Sequence, residues 1–417
     1  MRPTLPFGLA LAATALLALG CGTGDGGGEP QLLGADVPRS PAGPVDPTAL
    51  VGGLNRFGFD YYATLSALSP GENVVFSPLS IGIAFGMADA GARGETAAQI
   101  EEVFHLPGSG DELHAAFNAL DQALGDAGES TLRLANRMYP APGYELVPEF
   151  VKTLGASYGA PLERLVFAPD PEPARERING WVAKRTEDRI PELLPSGSIT
   201  TDTVLVLVNA LYLEAKWSQP FGKYPTEQAP FTRLDGSSVE VPLMHNAELR
   251  TRYVDATAYQ AVELPYGNGE LSMMVVVPDD GRFPAFERGF DAERLAGVDA
   301  SLRRGVVDLF LPRWSGSFDV DLVETLAELG LTLPFRDGDF TGISPRNPFI
   351  GAGVHAADIE VDEEGTVAAA ATGLAFAESG PPPPDAVIRA DRPFLYLIRD
   401  TETGAVLFLG RVVDPAA

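Results

Sequence analysis

The sequence predicts an α+β domain, and three observations predict it. Residues Ala49 to Leu68 carry Leu54, Phe57, Tyr61, Leu65 and Leu68 at helical spacing, and a largely apolar run extends from Ser77-Pro78 up to Met87. Val204 to Tyr212 is a continuous apolar run interrupted only by Asn209, the pattern of a strand buried on both faces. The chain closes with two strand-like runs between Asp391 and Pro415, joined across Thr401-Glu402-Thr403-Gly404.

At the start of the chain, Arg2 precedes an apolar run from Phe7 to Leu19 that ends in Gly20-Cys21. That is the shape of an export signal, so residues 1–20 are expected to be a signal peptide. Cys21 is the only cysteine of the 417 residues, which excludes an intrachain disulfide. A lone cysteine after an apolar run and a small residue resembles a bacterial lipoprotein site, although Ala18-Leu19 reverses the usual order. The resemblance implies lipid on the Cys21 thiol and a cell-envelope lipoprotein, at the outer membrane or cell surface. The alternatives are plain secretion or a free thiol at Cys21. Residues 21–47, rich in glycine and proline, are expected to be a flexible linker, with the domain spanning 48–417. The glycines between Gly22 and Gly28 have no strand before them and no helix after, so they are not a nucleotide-binding loop. With 57 acidic against 30 basic residues the net charge is -27, which repels nucleic acid and anionic headgroups.

From residue 48 on, Ala49 to Leu68 reads as an amphipathic helix, and the apolar run after Ser77-Pro78 as a buried one with Ser77 as its cap. Glu112 to Leu124 is a further helix. Between Arg175 and Phe221 the chain passes from helix, through a turn at Gly197-Ser198, into the apolar strand, where buried Asn209 needs a partner. Glu263 to Asp279 is a turn leading into an apolar strand, and Leu322 to Leu329 a helix. From His355, Ala357, Ile359 and Val361 alternate with Asp358, Glu360 and Asp362, a strand with one buried face.

The segment after that strand is unlike the rest of the chain. Glu363-Glu364 lead to Gly365-Thr366, Val367, the alanines Ala368, Ala369, Ala370 and Ala371, then Thr372-Gly373 and the proline block Pro381 to Pro384. A run of alanines alone reads as helix or linker. This one continues a strand, begins at a glycine able to act as a hinge, and ends at prolines that cannot join a central sheet. None of its residues is too large or too polar to be buried beside the strand it continues. Here the sequence resembles the reactive-loop hinge of the serpins, proteinase inhibitors whose cleaved loop inserts into their main sheet. Asn73, Ser77, Pro78, Ser80 and Gly94-Glu95-Thr96 match the same family, as do Asn209, Trp217 and His355, and the likeness runs in order from about 48 to 415.

The resemblance implies a large central sheet with smaller sheets, about eight or nine surrounding helices and an exposed reactive loop at about 365–390. It also implies an irreversible suicide-substrate inhibitor of a serine protease, or of a cysteine protease, acting as a monomer without cofactor or metal. Glu363, Gly365, Thr366 and Ala368 to Ala371 would be its hinge. Ser77, Ser80, Asn209, His355 and Trp217 would lie where the sheet opens, with Asn209 meeting His355. Fourteen residues past Gly365, as in the family, the reactive bond falls at Ser379-Gly380, with Glu378 or Phe376 as alternatives.

Three departures qualify the likeness. No lysine or arginine occurs between Gly94 and Leu132, where some relatives carry a heparin site, so none is expected. Val367 replaces a common glutamate, on the outward face of the strand. The loop between Glu363 and Pro393 is a few residues longer than usual. Against an enzyme, the sequence has no Gly-x-Ser-x-Gly elbow, no His-Glu-x-x-His pair and no phosphate loop, and its histidines at 105, 114, 245 and 355 are scattered. The rival readings are a non-inhibitory binding or carrier protein on the same fold and a structural surface lipoprotein.

Overall fold

The structure, a computed structural model, describes residues 32–125, 130–366 and 383–417. Within them lie nine α-helices: α1 (Thr48–Leu68), α2 (Pro78–Asp89), α3 (Gly94–Val103), α4 (Gly110–Leu124), α5 (Pro148–Thr153), α6 (Glu172–Arg185), α7 (Phe283–Glu287), α8 (Ala292–Ser301) and α9 (Leu322–Glu328). The strands are β1 (Leu32–Leu33), β2 (Val74–Phe76), β3 (Thr131–Pro140), β4 (Leu162–Glu163), β5 (Leu205–Lys216), β6 (Glu227–Thr232), β7 (Ser238–Asp255) and β8 (Tyr259–Tyr266). They continue with β9 (Leu271–Pro278), β10 (Arg303–Pro312), β11 (Trp314–Asp321), β12 (Ala352–Val361), β13 (Gly365–Thr366), β14 (Ala386–Arg389), β15 (Phe394–Asp400) and β16 (Val406–Val412).

Helix α2 begins where its sequence requires. The Ser77 hydroxyl accepts the Ser80 N–H at 3.0 Å, and Pro78 takes the first position, where a missing N–H is no loss. Every residue of α2 is buried because it lies between two sheets, against β5 and β3 on one side and β16 on the other. On the opposite face of β5, Ile178 and Val182 of α6 cover Val206 and Val208. Both faces of β5 are thereby removed from water, which is why its sequence does not alternate.

The sheet that carries the expected hinge has five strands, in the order β11-β12-β13-β5-β3. It is not the larger one. A nine-stranded sheet runs β14-β10-β7-β8-β9-β15-β16-β2, with β6 attached to β7. The 18-residue β7 makes that sheet continuous: Ser238 to Leu243 pair β6, Leu243 to Tyr253 pair β10 and Tyr253 to Asp255 pair β8.

Residues 32–47 depart from the flexible linker expected over 21–47. Leu32-Leu33 pairs antiparallel with Glu163-Leu162, and the Ser40 N–H donates to the Ala156 carbonyl at 2.9 Å. Arg39 reaches α4, donating through Nε to Asn118 Oδ1 at 2.7 Å and through Nη2 to Asp121 Oδ2 at 2.5 Å. Low apolar content does not prevent docking when side chains of the body satisfy the strap's polar groups. The folded unit therefore includes residues 32–47, ahead of the start expected at 48.

Candidate functional site

Strands β12 and β5 run parallel as direct neighbours, with register partners from Ala352 and Val206 to Ala357 and Leu211. Past that point they part and β13 stands between them, antiparallel to both. Thr366 is the partner of Val361 on one side and of Ala215 on the other, and Gly365 is the partner of Lys216. The chain reverses from β12 into β13 through a turn in which the Asp362 carboxylate accepts the N–H groups of Glu364 (2.8 Å) and Gly365 (3.1 Å). A Cβ on residue 365 would lie 2.1 Å from the Ala215 carbonyl oxygen, so the approach admits only glycine.

The turn and β13 are fastened from above. Thr366 is buried, with its hydroxyl 2.6 Å from that of Tyr266. Tyr266 stacks on Trp217, ring centroids 4.3 Å apart. The Trp217 indole N–H donates to the Asp362 carbonyl at 2.9 Å and its backbone N–H to that of Glu364 at 2.8 Å. The Glu363 carboxylate receives Arg313 at 2.6 Å and also the Thr226 hydroxyl. Burial would raise the Glu363 pKa, but these partners hold it below the ordinary carboxylate value.

Lower in the seam, where β12 and β5 still touch, lies a buried polar cluster. His355 and Asn209 are register partners. The Ser77 backbone N–H donates to His355 Nε2 at 3.0 Å, which leaves the proton on Nδ1, and that N–H donates to Asn209 Oδ1 at 2.6 Å. Asn209 Nδ2 in turn donates to Ser80 Oγ at 2.6 Å and to Asn136 Oδ1 at 2.7 Å, with the Ser80 carbonyl also in contact. Complete burial pulls the His355 pKa down to about 3, so the ring is neutral. The cluster is a set of hydrogen bonds that ties β12 and β5 to the start of α2.

Ser77, Ser80, Asn209 and His355 thus come together, while Trp217, Glu363, Gly365 and Thr366 form a second group at the top of the same seam. Ala368, Ala369, Ala370, Ala371, Phe376, Glu378, Ser379 and Gly380 lie outside the described residues, as do Cys21 and the segment 1–20. Sequence reasoning missed Asn136, Tyr266, Arg313 and Thr226. Asn136 had a usable signal, a polar residue in step with Leu132 and Leu134 along a strand. Among the described residues, no helix is long and apolar enough to cross a membrane, and no group of three or more His, Cys, Asp or Glu is placed to hold a metal ion.

The chain resembles known proteins along most of its length. A family model described as "Serpin (serine protease inhibitor)" matches residues 53–415. The leukocyte elastase inhibitor of Bos taurus is 37% identical over 371 residues, 86% of this chain and 98% of the relative. The crystal structure of uncleaved ovalbumin superposes with a TM-score of 0.77 at 28% identity, covering 88% of this chain and all of that one. The thermophilic serpin tengpin in its native state gives a TM-score of 0.79 at 24% identity, over 87% of this chain and 94% of its own, a likeness of fold.

Proposed function

The chain belongs to the serpin family, and from that premise we propose that it is a suicide-substrate inhibitor of serine proteases. The observation that carries the reading is β13, two residues of the loop segment already seated between β12 and β5. Continued in the same register, the segment would set Ala368 opposite Leu213, Ala370 opposite Leu211 and Phe376 opposite Leu205, the first residue of β5 and the far end of its ladder. Both ladders would bring Thr372 to one level, opposite Asn209 in β5 and His355 in β12. The bond Ser379-Gly380 would then lie just past the far end of the sheet.

The protease serine would attack the Ser379 carbonyl, form an ester to Ser379 and release the amine of Gly380. Insertion of the freed segment would drag the ester-linked enzyme the length of the sheet before water could cleave it. A trapped active site tolerates little displacement, since its chemistry depends on sub-ångström placement. Small Ser379 and the name of the bovine relative favour an elastase-like target. Export with lipid on Cys21 would hold the inhibitor at a membrane, and a Cys21→Ala variant should move to the soluble fraction.

The test is incubation of the full chain with elastase-like, chymotrypsin-like and Glu-specific serine proteases, then a denaturing gel. A band of summed mass that survives the detergent is expected with at least one of them. Cleavage without such a band would leave the carrier reading in its place.

A further inference from the structure

A cavity of about 520 Å³ opens at the edge of the five-stranded sheet, where β3 pairs β5 on one side only. Its wall is divided. Ile83, Met87, Phe117 and Leu134 make one half apolar. The rest of the lining holds Arg137 and Arg185 over Trp181, Arg133, and Arg39 paired with Asp121 of α4, the one acidic group of the lining. Four cations on one small surface are unexpected in a chain of net charge -27.

The centre of the polar half is Arg137. Its side chain is 8% exposed and lies over the Trp181 ring, 4.3 Å from the centroid. One end of the guanidinium donates to Glu163 at 3.2 Å, but Glu163 is shared with Arg177 at 2.9 Å, and the Arg137 Nε is buried without a partner. A buried guanidinium N–H left unpaired is costly, and an anionic oxygen is the acceptor that would satisfy it best. Arg39 enters the cavity from the docked N-terminal strap, and Arg133 and Arg185 stand exposed at the mouth with no ion pair among the described residues.

We propose that this cavity binds an amphipathic organic anion, its apolar body against α2 and α4 and its carboxylate, or another singly charged head, among the arginines. The volume lies within the range of small-ligand sites. The apolar part of the lining excludes bare phosphate as the best occupant. The site touches the seam directly, since Asn136 lines it and also accepts the hydrogen bond of Asn209.

Isothermal titration calorimetry of the full chain with decanoate tests the proposal, with 1-decanol and decyltrimethylammonium as neutral and cationic controls of the same tail. Decanoate should bind at least about tenfold more tightly than either control, the factor expected of one charge-assisted hydrogen bond. Arg137→Met should abolish that preference. Because Arg137 also partners Glu163, the exposed pair Arg133→Gln and Arg185→Gln serves as a second variant that does not disturb the core, and it should weaken decanoate by about threefold or more while leaving decanol unchanged. Equal affinity for decanoate and decanol, an unaltered decanoate affinity in the double variant, or heparin binding that decanoate does not displace would each overturn it.

Discussion

His355 Nδ1–H meets Asn209 Oδ1 at 2.6 Å between two strands that are each other's register partners at that level. The pair is therefore a polar connection that must break if anything is to pass down between β12 and β5. Ser77 and Ser80, at the start of α2, supply the other ends of the same chain of hydrogen bonds. The helix cap and the seam are one structure.

Thr366→Arg should turn the inhibitor into a substrate. Thr366 is 2% exposed and bonded to Tyr266, so an arginine there must be buried without a counter-charge, at a cost of several kcal/mol. The number of inhibitor molecules consumed per protease should rise well above one. A value still near one would place the hinge elsewhere.

A single cut between Phe376 and Pro384 should make the protein more heat-resistant. The intact loop is anchored at both ends, by β13 between β12 and β5 and by β14 on β10, and cutting frees the segment after Thr366. If about ten ladder hydrogen bonds form at about 1 kcal/mol each, the midpoint should rise by about 20 °C or more. Scanning calorimetry of nicked and intact protein decides it, and a nicked form that melts no higher rules out insertion.

Thr372→Val tests the register itself. In the cleaved form the Thr372 hydroxyl would stand between Asn209 and His355, whose mutual bond the inserted strand has removed. The valine should lower the cleaved form's stability by about 1–3 kcal/mol, the cost of a buried polar group without a partner. The intact form's melting temperature should not change. Equal effects on both forms would contradict the register.

Acid and alkali should act on different groups. His355 and His114 are pulled down to about 3 and about 4 by burial, against 6.5 when exposed. The folded state refuses protons that the unfolded chain takes, so their contribution is intact above pH 6.5 and is lost as pH falls through that window. Asp89 is the reverse: burial, then the charge of Glu101, raises it to about 7 from 3.8, so the folded state binds the extra proton and loses stability as pH rises toward 7. Asp89→Asn should therefore raise the melting temperature at pH 8 and make little difference at pH 4. A gain that is equal at the two values would remove Asp89 from the account.

Much of this seam can be read from the chain because its signals are local. Helix α1 shows in its spacing, α2 in its Ser-Pro start, and β5 in an apolar run whose single polar residue, Asn209, demands a partner. The contacts of Tyr266, Arg313 and Thr226 carry no local mark, since each depends on elements far apart in sequence meeting at the top of β5. The same holds for β7, whose pairing with β6, β10 and β8 joins elements far apart in the chain. Residues 32–47 have a linker's composition and still dock, because α4 and the turn after α5 supply the partners.

That docking sets a leash. From Cys21 to Leu32 is 11 residues, which covalent geometry limits to about 40 Å, whereas slack running on to Thr48 would allow about 90 Å. For a chain anchored at Cys21, the layer above the bilayer in which it can work thins in proportion to that reach, so its concentration there rises about twofold. Such an inhibitor would intercept enzymes working within a molecular diameter or two of the membrane and leave those in the bulk medium alone.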